Sequence, residues 1–238
     1  IIGAIALAAG IGFFLMLAFE NDWIGARGRV ILGIAAGMAT LGIGAYSHRR
    51  YPAWAQAVTG GGLGILYLSI YSAFGFYDFI GLVPAFLFLA LLVAISGLLA
   101  LRYDSIIIAL LGIGGAFLTP VLLGNDLLIA DQIHVLLGYI LLVAIGVLGI
   151  SAFRNWRWFT LLGLLGSYGL QIALSSEYEP AKEELLLIQG FLTAIFLVFV
   201  GATTLFQILW RRIPGRTDLI LISLNAVAYF GLSYGLLW

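Results

Sequence analysis

Residues 53–104 read AWAQAVTGGGLGILYLSIYSAFGFYDFIGLVPAFLFLALLVAISGLLALRYD. Two apolar stretches, 53–76 and 79–101, are parted by Tyr77 and Asp78 alone. The triplet Arg102-Tyr103-Asp104 closes the second. Each stretch matches the roughly 20 residues that a helix needs to cross the hydrocarbon core, and neither contains an ionisable Asp, Glu, Lys, Arg or His. Pro52 precedes the first, where its fixed φ suits an opening helical turn. This reads as a transmembrane helical hairpin.

Outward from the hairpin the same pattern repeats. Apolar runs cover 1–19, 28–47, 105–124, 133–152, 156–174, 184–210 and 218–238. With the hairpin they predict an all-α polytopic bundle of about nine membrane-spanning helices. The first and ninth runs are also compatible with lying partly in the interface. Several connections are only a few residues long, so sequential helices are expected to be antiparallel neighbours. The chain 1–238 reads as a single transmembrane helical domain. It opens at Ile1 inside one apolar run and closes at Trp238 inside another, as expected of an internal segment of a longer chain.

Composition and charge agree. The chain is 63% hydrophobic and 9% charged, where a soluble domain carries about a quarter charged residues. Taken alternately, the run ends define two faces. One holds Arg49, Arg50, Arg102, Arg154, Arg157, Arg211, Arg212 and Arg216 against Asp104 and Asp218, a balance of +6. The other holds Arg27, Arg29 and Lys182 against Glu20, Asp22, Asp78, Asp126, Asp131, Glu177, Glu179, Glu183 and Glu184, a balance of −6. Arginine and lysine are retained on the cytoplasmic side of bacterial membranes. The expected location is therefore the bacterial inner membrane, with loops 48–52, 102–104, 153–157 and 211–218 cytoplasmic. Trp23, Trp54, Trp156, Trp158, Trp210 and Trp238 all sit near run ends, where an indole settles at the interface.

Several function classes lose support. Cysteine is absent and histidine occurs twice. Thiol chemistry is excluded, and a protein-ligated zinc or haem is not expected. The sequence implies no cofactor and no metal. The lack of charge near the middle of any run argues against a proton- or sodium-coupled pump built on buried carboxylates. No catalytic residue is assigned.

The candidate cavity or packing residues are Gly60, Gly61, Gly62, Gly64, Tyr67, Tyr71, Gly114, Gly115, Thr119, Pro120 and Asn225. The motif Gly60-Gly61-Gly62-Leu63-Gly64 has neither the following lysine nor the preceding strand of a phosphate loop. It reads as a close helix–helix contact. The sharper alternative is a broken helix whose freed backbone lines a cavity, with Tyr67, Ser69, Tyr71 and Ser72 offering polar contacts. Gly112, Gly114 and Gly115 form a similar thin patch, with Thr119-Pro120 toward the outer end as a kink or stop. Gly33–Gly37 and Gly231–Gly235 are further pairs at helix-packing spacing. Gln171, Gln189, Gln207 and Asn225 are expected to bond between helices. Arg102 and Asp104 are expected to pin an interfacial turn as an ion pair. The acidic loops read as a solvated rim, and His134 as a structural interfacial residue.

Four blocks carry a resemblance. Phe14–Gly33 (FLMLAFENDWIGARGRVILG), Ala55–Tyr71 (AQAVTGGGLGILYLSIY), Leu101–Pro120 (LRYDSIIIALLGIGGAFLTP) and Asp218–Gly231 (DLILISLNAVAYFG) together resemble the bacterial predicted membrane proteins known as domain of unknown function 2339. The resemblance covers essentially the whole chain. It implies a polytopic bacterial membrane protein, often longer and with more helices than this one, and it implies no reaction. Many relatives have an acidic residue after Gly44, where this chain has Ala45.

Three functions follow as expectations. The first is a non-catalytic helix-packing subunit of a membrane complex. Its partners would be membrane lipids and other membrane-protein subunits, with no nucleic acid. The second is a carrier or flippase for lipidic or amphiphilic cargo. The third is a membrane-embedded lipid-modifying enzyme, which lacks a His, Asp or Glu set at active-site spacing. A carrier requires a polar-lined cavity between the third and fifth runs.

Overall fold

A computed structural model describes residues 24–129, 133–153, 156–177, 182–210 and 215–237. Within them lie eight helices: α1 (Ala26–Ser47), α2 (Pro52–Gly75), α3 (Leu82–Tyr103), α4 (Ile106–Ile129), α5 (Ile133–Phe153), α6 (Arg157–Glu177), α7 (Lys182–Trp210) and α8 (Arg216–Leu237). The expected first run, 1–19, and Trp23 lie outside the described residues. By length and apolarity, α1 to α5 and α8 qualify as membrane spans, six among the described residues. In α6 and α7 the described apolar stretches are Trp158–Ala173 and Leu185–Gly201, within helices of 21 and 29 residues. Six spans of the expected nine or so are therefore shown among the described residues.

The α1–α2 hairpin shows why glycine is placed where it is. Among the buried positions on α2, Ala55, Thr59, Gly62, Leu66, Ser69 and Ala73 form one row, with Gly60 and Leu63 buried beside it. These alternating steps of four and three make a heptad seam. On α1 the facing positions are Gly33, Gly37 and Gly44. A Cβ at Gly37 would stand 2.6 Å from Leu66 Cγ, and one at Gly62 would stand 3.1 Å from the Gly37 carbonyl oxygen. Gly33 and Gly44 similarly receive the Ser69 and Thr59 hydroxyls. Lipid gives helices no hydrophobic reason to associate, so close backbone approach and dispersion hold this pair.

The core lies between α4 and α5. In their spans 44% of residues are buried, against 17% in α1, α3 and α8. Ile108, Leu123, Ile133, Leu137 and Ile140 from these two helices meet Leu89, Leu164, Leu192, Ile195 and Phe199 with their side chains fully enclosed.

The first three turns alternate between two ends. His48 stacks on Tyr103 with ring centroids 4.0 Å apart, so the α1–α2 and α3–α4 turns share one end. At the other end the Arg27 guanidinium lies 5.8 Å from the Phe79 ring centroid, joining the start of α1 to the α2–α3 turn. The α3–α4 turn takes two residues. Asp104 adopts the left-handed region (φ 50°, ψ 42°) and its N–H returns to the Ala100 carbonyl. An aspartate tolerates this conformation better than most side chains. Ser105 N–H also reaches Ala100 O at 3.0 Å.

Candidate functional site

Pro120 lies inside α4. It has no N–H, so the Ala116 carbonyl four residues back lacks its helical donor. Ala116 is 1% exposed, and an unsatisfied carbonyl inside a bilayer costs several kcal/mol. The replacement comes from the next helix. The Tyr139 hydroxyl on α5 donates to Ala116 O at 2.9 Å. At the preceding carbonyl, the Tyr67 hydroxyl on α2 lies 3.1 Å from Gly115 O and 2.9 Å from Thr119 Oγ1. Thr119 Oγ1 in turn donates to Gly115 O at 2.9 Å. Gly115 admits this arrangement, because a Cβ there would meet the Tyr67 ring at 3.3 Å. The proline thus sits in a polar node that joins α2, α4 and α5.

A second node joins α6, α7 and α8. Asn225, 1% exposed, accepts from the Tyr168 hydroxyl at 2.7 Å and donates through Nδ2 to Phe196 O at 3.1 Å. Two turns along α8, Gln189 Nε2 on α7 donates to Ser233 Oγ at 2.7 Å. Tyr229 stacks on Phe196, centroids 4.6 Å apart, with its hydroxyl 3.2 Å from Thr193 Oγ1. Asn225 and Gln189 therefore bond between helices. Gln171 is buried, and the side chain of Gln207 lies outside those described.

The four glycines of Gly60–Gly64 part company. The helix runs through them unbroken. A Cβ at Gly60 would stand 2.6 Å from Leu111 on α4, and Gly62 faces α1. Gly61, Gly64 and also Gly114 have nothing within 4 Å and are exposed. Tyr71 packs edge-on to Phe76, centroids 5.7 Å apart. Trp54 is half-exposed in the first turn of α2, and Arg102 is exposed at the end of α3.

A cleft of about 240 Å³ opens between α2, α3 and α4, lined by Gly64, Tyr67, Val93, Ser96, Gly112 and Leu118 among others. It lies where a carrier would need one. Its wall is almost wholly apolar, and the Ser96 hydroxyl is bonded to Val93 O at 2.7 Å. Among the described residues no three His, Asp or Glu converge as a metal or acid–base cluster.

Two partners in the nodes, Tyr139 and Tyr168, escape sequence reasoning. Pro120 announces that a carbonyl needs a donor, but nothing in the sequence says which helix supplies it.

The family description "predicted membrane protein (DUF2339)" matches residues 1–238. No curated protein and no solved structure matches the chain.

Proposed function

The chain belongs to the DUF2339 family of predicted membrane proteins, and on that premise we propose that it is a non-catalytic helix-packing subunit of a membrane complex. The carrying observation is the node at Pro120. Polar groups that a carrier would present to a cavity are here bonded to one another, with Tyr139 taking the place of the missing backbone donor. The second node uses Asn225 and Tyr168 in the same way. What the bundle offers outward is apolar side chain: Met38 on α1, Leu68 on α2 and Val227 on α8 are each more than 60% exposed. These faces meet lipid or partner helices. The arginine-rich turns lie on the cytoplasmic side of the bacterial inner membrane, by the retention of arginine there.

Isolation from native membranes in mild detergent, followed by mass spectrometry, tests the reading. Stoichiometric membrane-protein partners are expected. A lone chain that moves lipid between leaflets after reconstitution would overturn it. That second reading, a carrier of lipidic cargo, rests on the cleft between α2, α3 and α4.

A further inference from the structure

A larger groove, about 380 Å³, runs down the outside of the bundle between α3 and α5, with α4 as its floor. Its lining is almost wholly apolar and includes Leu98, Leu101, Gly112, Gly146, Gly149 and Phe153. Two of the glycines need explaining. Gly112 is filled by the Ser96 side chain, so packing requires it. Gly146 and Gly149 on α5 have nothing within 4 Å of where a Cβ would stand. Each costs about 1 kcal/mol of helix propensity relative to alanine, and no part of the described chain uses the space. The missing side chains are what give the groove its depth.

Its dimensions select an occupant. Along α3 the lining extends from Val93 to Leu101, and along α5 from Leu142 to Phe153. At 1.5 Å per residue this is about 12–16 Å, close to half of the roughly 30 Å hydrocarbon core. It begins near the middle of both helices and ends at their arginine-rich end. A single acyl chain fits. At the mouth, Arg102 follows the lining residue Leu101 and is exposed, while its neighbour Asp104 already has a partner within the chain. Arg49 and Arg50 are exposed at the same end, which the His48–Tyr103 stack fixes.

We infer that the groove between α3 and α5 binds one acyl chain of an anionic phospholipid from the arginine-side leaflet, with its phosphate at Arg102. The inference needs only that the bundle spans a bilayer, and stands or falls separately from the subunit reading.

The test uses purified protein in phosphatidylcholine vesicles containing a minor fraction of phosphatidylglycerol with a photoreactive acyl chain. Adducts are mapped by mass spectrometry. They are expected to concentrate on the α3 and α5 groove peptides, and to exceed those from a matched phosphatidylcholine probe about fivefold, the effect of one arginine near an anionic headgroup. Gly146→Leu with Gly149→Leu should remove groove adducts and leave those on the α8 surface. Arg102→Gln, at an exposed site, should abolish the headgroup preference while groove adducts persist. Adducts spread evenly over α1, α3, α5 and α8, adducts indifferent to the leucines, or equal labelling by both probes would overturn the proposal.

Discussion

Tyr139→Phe removes one oxygen and leaves the ring to pack against Phe86, whose centroid lies 5.0 Å away. An average interhelical hydrogen bond in a membrane contributes about 0.6 kcal/mol and the largest about 1.7, because the partners usually find substitutes. Here substitutes are few, since the one nearby hydroxyl, Thr119 Oγ1, already donates to Gly115 O. Ala116 is 1% exposed, so neither water nor headgroups reach its carbonyl, and residue 120 is proline. Leaving a buried acceptor unmade costs about 1–3 kcal/mol. The overlap of these ranges gives an expected loss of about 1.5 kcal/mol. Pro120→Ala restores the backbone N–H to the helix, so Tyr139→Phe should then cost only about 0.5 kcal/mol, near the ordinary membrane value. The cycle thus predicts a coupling of about 1 kcal/mol between residues 120 and 139. Equilibrium unfolding in mixed dodecyl maltoside and dodecyl sulfate micelles, followed by tryptophan fluorescence, measures it. Equal costs in both backgrounds would refute the claim that the hydroxyl replaces the missing donor.

The glycines separate by the same assay. Gly62→Ala brings a Cβ to 3.1 Å from both Gly37 O and Leu41 N, backbone atoms that cannot give way, and should cost about 1–3 kcal/mol. Gly61→Ala meets nothing within 4 Å and should be neutral or stabilising by up to about 1 kcal/mol; the reverse order would sink the seam described for α1 and α2. Asn225→Ala strands the Tyr168 hydroxyl and removes the second hydrogen bond to the Phe196 carbonyl; it should lower stability by about 1–2 kcal/mol, whereas Ser223→Ala on the exposed side of α8 should not. Because the chain has no cysteine, Arg50→Cys and Phe79→Cys report orientation directly. A membrane-impermeant maleimide applied outside intact cells should label the second and spare the first.

The helices were legible because bilayer length and charge leave few alternatives. The apolar runs 28–47 and 53–76 became α1 and α2 almost to the residue, and charged residues mark their ends. The glycine cluster was half legible. Its small residues do pack, but successive helical positions turn by about 100°. Gly60 and Gly62 therefore serve different neighbours and Gly61 serves none in the described chain. The alternative of a broken helix fails at 60–64. Freed backbone groups need water or protein partners, and the apolar residues around these glycines supply none. Asn225 was legible as a polar residue needing a partner. Tyr139 and Tyr168 were not, since a tyrosine in an apolar run looks the same whether its hydroxyl meets a carbonyl or a headgroup.

The subunit reading predicts that an outward apolar face meets another protein. A photo-crosslinking amino acid placed in turn at Met38, Leu68 and Val227, exposed on α1, α2 and α8, tests this in native membranes. At least one position should yield a discrete protein adduct of a single mass, lost when the same chain is reconstituted alone. Lipid adducts only, at all three positions, would contradict the account.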